Sequence, residues 1–166
     1  MKIFLIGLSG SGKTTLGKQL AADLNLPFVD MDWEIEKKEE RSVRQIFSEE
    51  GEDYFRQVEA TVLREWASRT ENFVMGTGGG APCFHGGIEI INQSGLSIFL
   101  DVPVEELTTR LSDATDRPLL NAGDKSERQN KLSVLRTARL PFYAKAHITV
   151  ENPTLEKLRD ALRLKM

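Results

Sequence analysis

The chain alternates short, almost wholly apolar runs with longer segments whose apolar residues recur every three or four positions. Met1 to Ile6 is apolar, stops at Gly7 and has the pattern of a buried strand. From Lys13 to Leu24 the spacing of Leu16, Leu20 and Leu24 predicts an amphipathic helix. Pro27 to Val29 reads as a second strand, and a helix is expected to start over Trp33 to Lys38. Ser42 with Gln45 forms a capping-box pattern ahead of another helix, with Gly51 as its stop. Phe55, Val58, Val62 and Trp66 then line one face of a longer helix.

The second half repeats the alternation. Asn72 to Gly76, Leu96 to Val102 and His147 to Val150 read as strands three to five. Val104 to Leu111 reads as helical, and the polar "SDATDRPLLNAGDKSE" as a long mobile loop. A helix is expected from about Glu127 to Leu140, stopped by Pro141. A last helix carries Leu155, Leu158 and Leu162, with Asn152 as its cap and Pro153 at its first position. Short strands alternating with helices imply an α/β fold. The expected form is a three-layer arrangement, a parallel five-stranded sheet flanked by helices on both faces.

Composition narrows the function. The 166 residues are 40% hydrophobic and show no internal repeat or linker, so one domain spanning 1–166 is expected. A net charge of -3 gives no electrostatic footprint for nucleic acid. The single cysteine, Cys83, rules out an intrachain disulfide, and His85 and His147 are too far apart in sequence to suggest a zinc pair. Lys2 before an apolar run resembles the start of a signal peptide, but the run is short and a buried strand fits better. No apolar run approaches the ~20 residues of a membrane helix. A cytoplasmic monomer without membrane or nucleic-acid partners is expected.

One motif carries specific chemistry. "GLSGSGKT", Gly7 to Thr14, fits G-x-x-x-x-G-K-[ST], with a strand leading in and a helix leading out. Such a loop turns backbone N–H groups toward phosphate oxygens at the positive end of a helix. Gly10, Ser11, Gly12, Lys13, Thr14 and Thr15 are the expected residues around a nucleoside triphosphate. Lys13 is placed to reach the β- and γ-phosphates, and the Thr14 hydroxyl to hold Mg²⁺. A GTPase switch would carry N-K-x-D and D-x-x-G, and neither occurs. A small-molecule kinase instead needs an acceptor pocket and a lid that excludes water. The loop around Arg117 is the candidate lid.

Six segments in order, "GLSGSGKTTLGKQLA", "FVDMD", "GEDYFRQVE", "TGGGAP", "DRPLL" and "ARLPFY", together resemble shikimate kinase. The resemblance implies a P-loop kinase with sheet order 2-3-1-4-5, an acceptor-binding region over about 31–62 and a mobile lid over about 112–126. It implies ATP-dependent phosphorylation of shikimate at its 3-hydroxyl, with Mg²⁺ as cofactor. Arg56 and Arg139 then match the arginines that bind the substrate carboxylate, a task suited to guanidinium forks. Arg136 lies one turn before Arg139, and the register of Pro141 selects Arg139. Gly78, Gly79 and Gly80 let the substrate lie against backbone. Arg117 matches a lid arginine that stabilises the transferring phosphates, and Arg110 and Pro153 match adenine contacts. Gluconate or nucleoside-monophosphate kinases share the fold and are the alternative.

The resemblance bears on an ambiguous pair. Asp30 and Asp32 suit helix caps, metal ligands or a substrate site. If residues 30 to 32 stay extended, both side chains point to the same side. The resemblance then implies that Asp32 faces the acceptor hydroxyl as orienting group or base, and that Asp30 steadies Mg²⁺ through water. A capping role for Asp32 on the following helix is the competing reading. Lys13, Asp32 and Arg117 form the expected catalytic set. Trp33 and Trp66 are expected to pack, Cys83 to be inert, and "EKKEER" to be a solvated helix face.

Overall fold

The computed structural model describes residues 1–111 and 124–166. Within them, β1 (Lys2–Ile6), β2 (Phe28–Asp30), β3 (Phe73–Gly76), β4 (Leu96–Asp101) and β5 (Ile148–Glu151) form one parallel sheet, ordered β2-β3-β1-β4-β5. This is the order the resemblance implied. Strand side chains alternate between faces, and here both faces are apolar. Ile3 and Leu5 of β1, Val74 of β3 and Ile98 and Leu100 of β4 pack into a core with α1 (Lys13–Leu24) and α8 (Leu155–Lys165). Phe4, Ile6, Phe73, Met75 and Phe99 face the opposite way. There the sheet is covered by α2 (Met31–Glu39), α3 (Val43–Glu50), α4 (Glu52–Ala67), α5 (Gly87–Ser94), α6 (Val104–Arg110) and α7 (Lys125–Tyr143).

Local chemistry explains most boundaries. Ser42 and Gln45 form a reciprocal capping box at the start of α3. Gly51, at φ 87°, both ends α3 and precedes α4, so two helices turn sharply on one residue. Asn25 closes α1 in the left-handed conformation that asparagine tolerates.

Four boundaries differ from expectation. Strand β2 ends at Asp30 and α2 begins at Met31, so Asp30 and Asp32 do not share an extended strand. The cap of α2 is Asp30, whose carboxylate accepts the Trp33 N–H at 3.3 Å, and Asp32 lies in the first turn. Helix α7 starts at Lys125, with Asp124 as its cap, and runs through Pro141 to Tyr143. Pro141 removes one helical N–H, but burial of Tyr143, its ring 4.9 Å from that of Phe99, carries the last turn through. Thr154 caps α8; Asn152 sits before it at φ 46°, and Pro153 lies outside the helix. Helix α5 and the 3-10 turn Ala81–Cys83 have no counterpart in the sequence reading, because the Gly86–Gly87 pair hides the helical spacing of Ile88 and Ile91.

Candidate active site

The phosphate loop joins β1 to α1 at the C-terminal edge of the sheet, where open α/β sheets bind ligands. Gly12 caps α1 at φ 100°, a conformation a side chain would strain. Lys13 folds back over the loop and donates to the carbonyls of Gly7 at 2.5 Å and Leu8 at 3.0 Å. The Ser11 hydroxyl is buried and finds no hydrogen-bond acceptor or donor among the described residues, so its bonding capacity is open to a ligand. Thr14 and Thr15 face solvent. A cleft of about 510 Å³ opens above the loop, and Asp30, Asp32, Arg110 and Pro153 line it along with Gly10 to Thr15. Arg110 is held there by the Gly10 carbonyl at 2.8 Å and Glu106 at 2.6 Å.

Beside the cleft is a tighter pocket of about 70 Å³, lined by Asp32 from α2, Phe47 from α3, Arg56 and Glu59 from α4, Gly78 to Gly80, and Arg139 from α7. Two of its cations are buried, Arg56 at 5% exposure and Arg139 at 8%. Arg56 pairs with Glu59 at 3.0 Å and Glu52 at 3.2 Å. Its guanidinium lies so close to Gly80 that a β-carbon there would collide with it. At Gly79 a β-carbon would stand 2.8 Å from Arg139 Nη1. The glycines thus admit the two guanidiniums as well as any ligand. Tyr143 donates its hydroxyl to the Gly79 carbonyl at 2.5 Å and fixes that backbone from beneath.

Burial sets the protonation of this pocket. Glu59 is 2% exposed, and desolvation pushes its carboxyl up to about 7 from an ordinary 4.5. Arg56 opposes that shift, while Asp32 adds to it. Burial likewise raises the Tyr143 phenol, keeping it a donor, and lifts the Cys83 thiol to about 11, which keeps it protonated and unreactive.

The two cavities meet. Ser9, Asp32, Gly78 and Gly79 line both, so one carboxylate stands at the junction of a phosphate-binding loop and a cationic pocket. No group of three or more His, Cys, Asp or Glu side chains with metal-binding geometry occurs among the described residues. Thr14 and Asp30 do line the cleft, and this sparse oxygen set suits Mg²⁺, which keeps most of its ligands as water and phosphate.

The structure thus gathers Asp32, Arg56, Gly78, Gly79, Gly80 and Arg139 in one pocket, and Gly10 to Thr15, Asp30, Arg110 and Pro153 around the other. Arg136 does not join Arg139: it pairs with Asp101 at 3.2 Å in a separate groove. Arg117 and most of the expected lid lie outside the described residues. Trp33 does not pack, being 57% exposed, whereas Trp66 stacks edge-on against Phe73. "EKKEER" is not simply solvated. Glu36 accepts the Val43 N–H at 3.0 Å, and Glu39 joins Arg41 at 3.2 Å and the Tyr54 hydroxyl at 2.6 Å. Sequence reasoning missed Glu59 and Tyr143. Both carry a readable signal: Glu59 interrupts the apolar stripe of α4 one turn after Arg56, and Tyr143 follows Arg139 by one turn.

Comparison with known proteins agrees with this geometry. The sequence pattern that defines the family described as Shikimate kinase matches residues 9–164. A shikimate kinase of Bacteroides thetaiotaomicron is 41% identical over 157 residues, covering 94% of this chain and 89% of its own. One of Aquifex aeolicus is 38% identical over 164 residues, covering 98% and 94%. Among solved structures, a shikimate kinase from Acinetobacter baumannii in complex with shikimate superposes with a TM-score of 0.88 at 37% identity, covering 99% of this chain and 90% of that one.

Proposed function

The chain belongs to the shikimate kinase family, whose members phosphorylate shikimate to shikimate 3-phosphate with ATP, and from that premise we propose how its site divides the work. The phosphates of ATP rest on the backbone of Gly10 to Thr15, with Lys13 leaving its loop carbonyls for the β- and γ-phosphates. The Ser11 hydroxyl takes a phosphate oxygen as its missing partner. Arg110 and Pro153 flank the base. Thr14, and Asp30 through water, would hold Mg²⁺, which when bound neutralises charge on the phosphates.

The neighbouring pocket takes shikimate. Arg56 and Arg139 receive its carboxylate, an anion suited to two buried guanidiniums. The ring lies along Gly78 to Gly80. Asp32 orients the 3-hydroxyl and accepts its proton as the new oxygen–phosphorus bond forms and the bond to ADP breaks. Residues of α2, α3 and α4 form the acceptor-binding region. The observation that carries this reading is the shared wall, since Asp32 faces both the phosphate cleft and the cationic pocket.

ADP release measured with shikimate, gluconate, AMP and no acceptor tests it. Shikimate is expected to raise the rate far above the other three. A rate with shikimate no higher than without acceptor would overturn the proposal.

A further inference from the structure

Arg56 is fixed within its own plane by two carboxylates, Glu52 and Glu59, both on the same helix. Edge-on ion pairs do not by themselves hold the tilt of a guanidinium, which can still rock about its long axis. A ring from another element also meets the group. The ring of Phe84 lies 4.3 Å from the Arg56 Cζ, nearer than the Phe55 ring at 5.3 Å. Phe84 follows the 3-10 turn after the glycines and does not line the acceptor pocket, so it touches Arg56 from behind.

Phe84 is 38% exposed, an unfavourable position for a large apolar residue unless one face of its ring is used. Its backbone is held in place. The next carbonyl, of His85, accepts from Arg64 of α4 at 3.3 Å, and His85 and Gly86 both adopt positive φ, 51° and 70°. The turn is thus pinned across α4 with the phenyl ring over Arg56. A π-face attracts a cation without taking any of its N–H donors, so it fixes the plane and excludes water from that face while leaving hydrogen bonding to others.

We propose that Phe84 is a positioning residue for acceptor recognition, holding the Arg56 guanidinium at the tilt that receives the substrate carboxylate. This rests on the reading of Arg56 as a carboxylate ligand. Phe84 sets how well shikimate is held and has no part in ATP binding.

Steady-state kinetics on the full-length enzyme test it. Phe84→Ala lowers kcat/KM for shikimate by roughly three- to thirtyfold through KM, with kcat and KM for ATP within about twofold. Phe84→Leu, apolar but without a π-face, is also impaired, and Phe84→Tyr retains wild-type KM. In an Arg56→Lys background, where the planar group is gone, Phe84→Ala costs less than about twofold further. An unchanged KM in Phe84→Ala, full activity in Phe84→Leu, a parallel rise in KM for ATP, or an undiminished effect in the Arg56→Lys background would each overturn the proposal. If Arg56→Lys alone leaves kcat/KM for shikimate unchanged, the fault lies with the reading of Arg56 instead.

Discussion

The two cavities on either side of Asp32 are built from different materials. The phosphate cleft is wide, about 510 Å³, and rests largely on the backbone of one continuous loop. The cationic pocket is about 70 Å³ and is assembled from charged side chains on α2, α4 and α7, of which Arg56, Glu59 and Arg139 are buried. Phosphates are common to every nucleotide, so backbone donors at a helix end suffice for them. A single acid with three hydroxyls needs fixed charges at fixed angles. In the proposed reading buried guanidiniums supply these, and the desolvation of Arg56 is offset by its pairs with Glu52 and Glu59.

Removing Lys13 is the most drastic way to separate the two halves. Lys13→Ala should lower kcat by at least about a hundredfold. It should leave shikimate affinity, measured calorimetrically without nucleotide, within about threefold of wild type. A comparable loss of shikimate affinity would mean that the two cavities are not energetically separate.

The cationic pocket differs again in its response to pH. The Glu59 carboxyl titrates near 7 in the folded chain and near 4.5 when unfolded. Its contribution to stability is therefore fully present below pH 4.5 and is lost as pH rises through 7. The difference in unfolding free energy between wild type and Glu59→Gln, measured in urea, should shift against the wild type by up to about 3 kcal/mol from pH 4.5 to pH 8. A difference that does not change with pH would show that Glu59 is not desolvated as described.

The smallest effect is expected at Asp30, which belongs to the cleft and also caps α2. Asp30→Ala should cost about 1 kcal/mol of stability through the lost cap. If Asp30 also steadies Mg²⁺, the Mg²⁺ concentration for half-maximal rate should rise severalfold. An unchanged Mg²⁺ requirement would leave Asp30 with capping alone.

The same contrast explains what the sequence disclosed. A loop whose function lies in consecutive backbone groups leaves a consecutive motif, and Gly7 to Thr14 was readable without any fold. Strand order and the pairing of Arg56 with Arg139, 83 positions later, came only through the family resemblance, because no local pattern joins α4 to α7. The extended geometry expected for residues 30 to 32 failed because the helix starts at Met31, so the cap that the competing reading gave to Asp32 falls to Asp30. Glu59 was overlooked because a glutamate on a helix is ordinarily solvated. Only the packing of α4 against α2 and the glycine turn reveals it as buried.

Calorimetric titration of ATP and of shikimate into Arg56→Ala and Asp32→Asn, alongside turnover, tests the division of labour most directly. Both variants should lose shikimate turnover by at least about a hundredfold, Arg56→Ala with loss of shikimate binding, while ATP binds within about threefold of wild type. Equal loss of ATP binding in either variant would contradict the account.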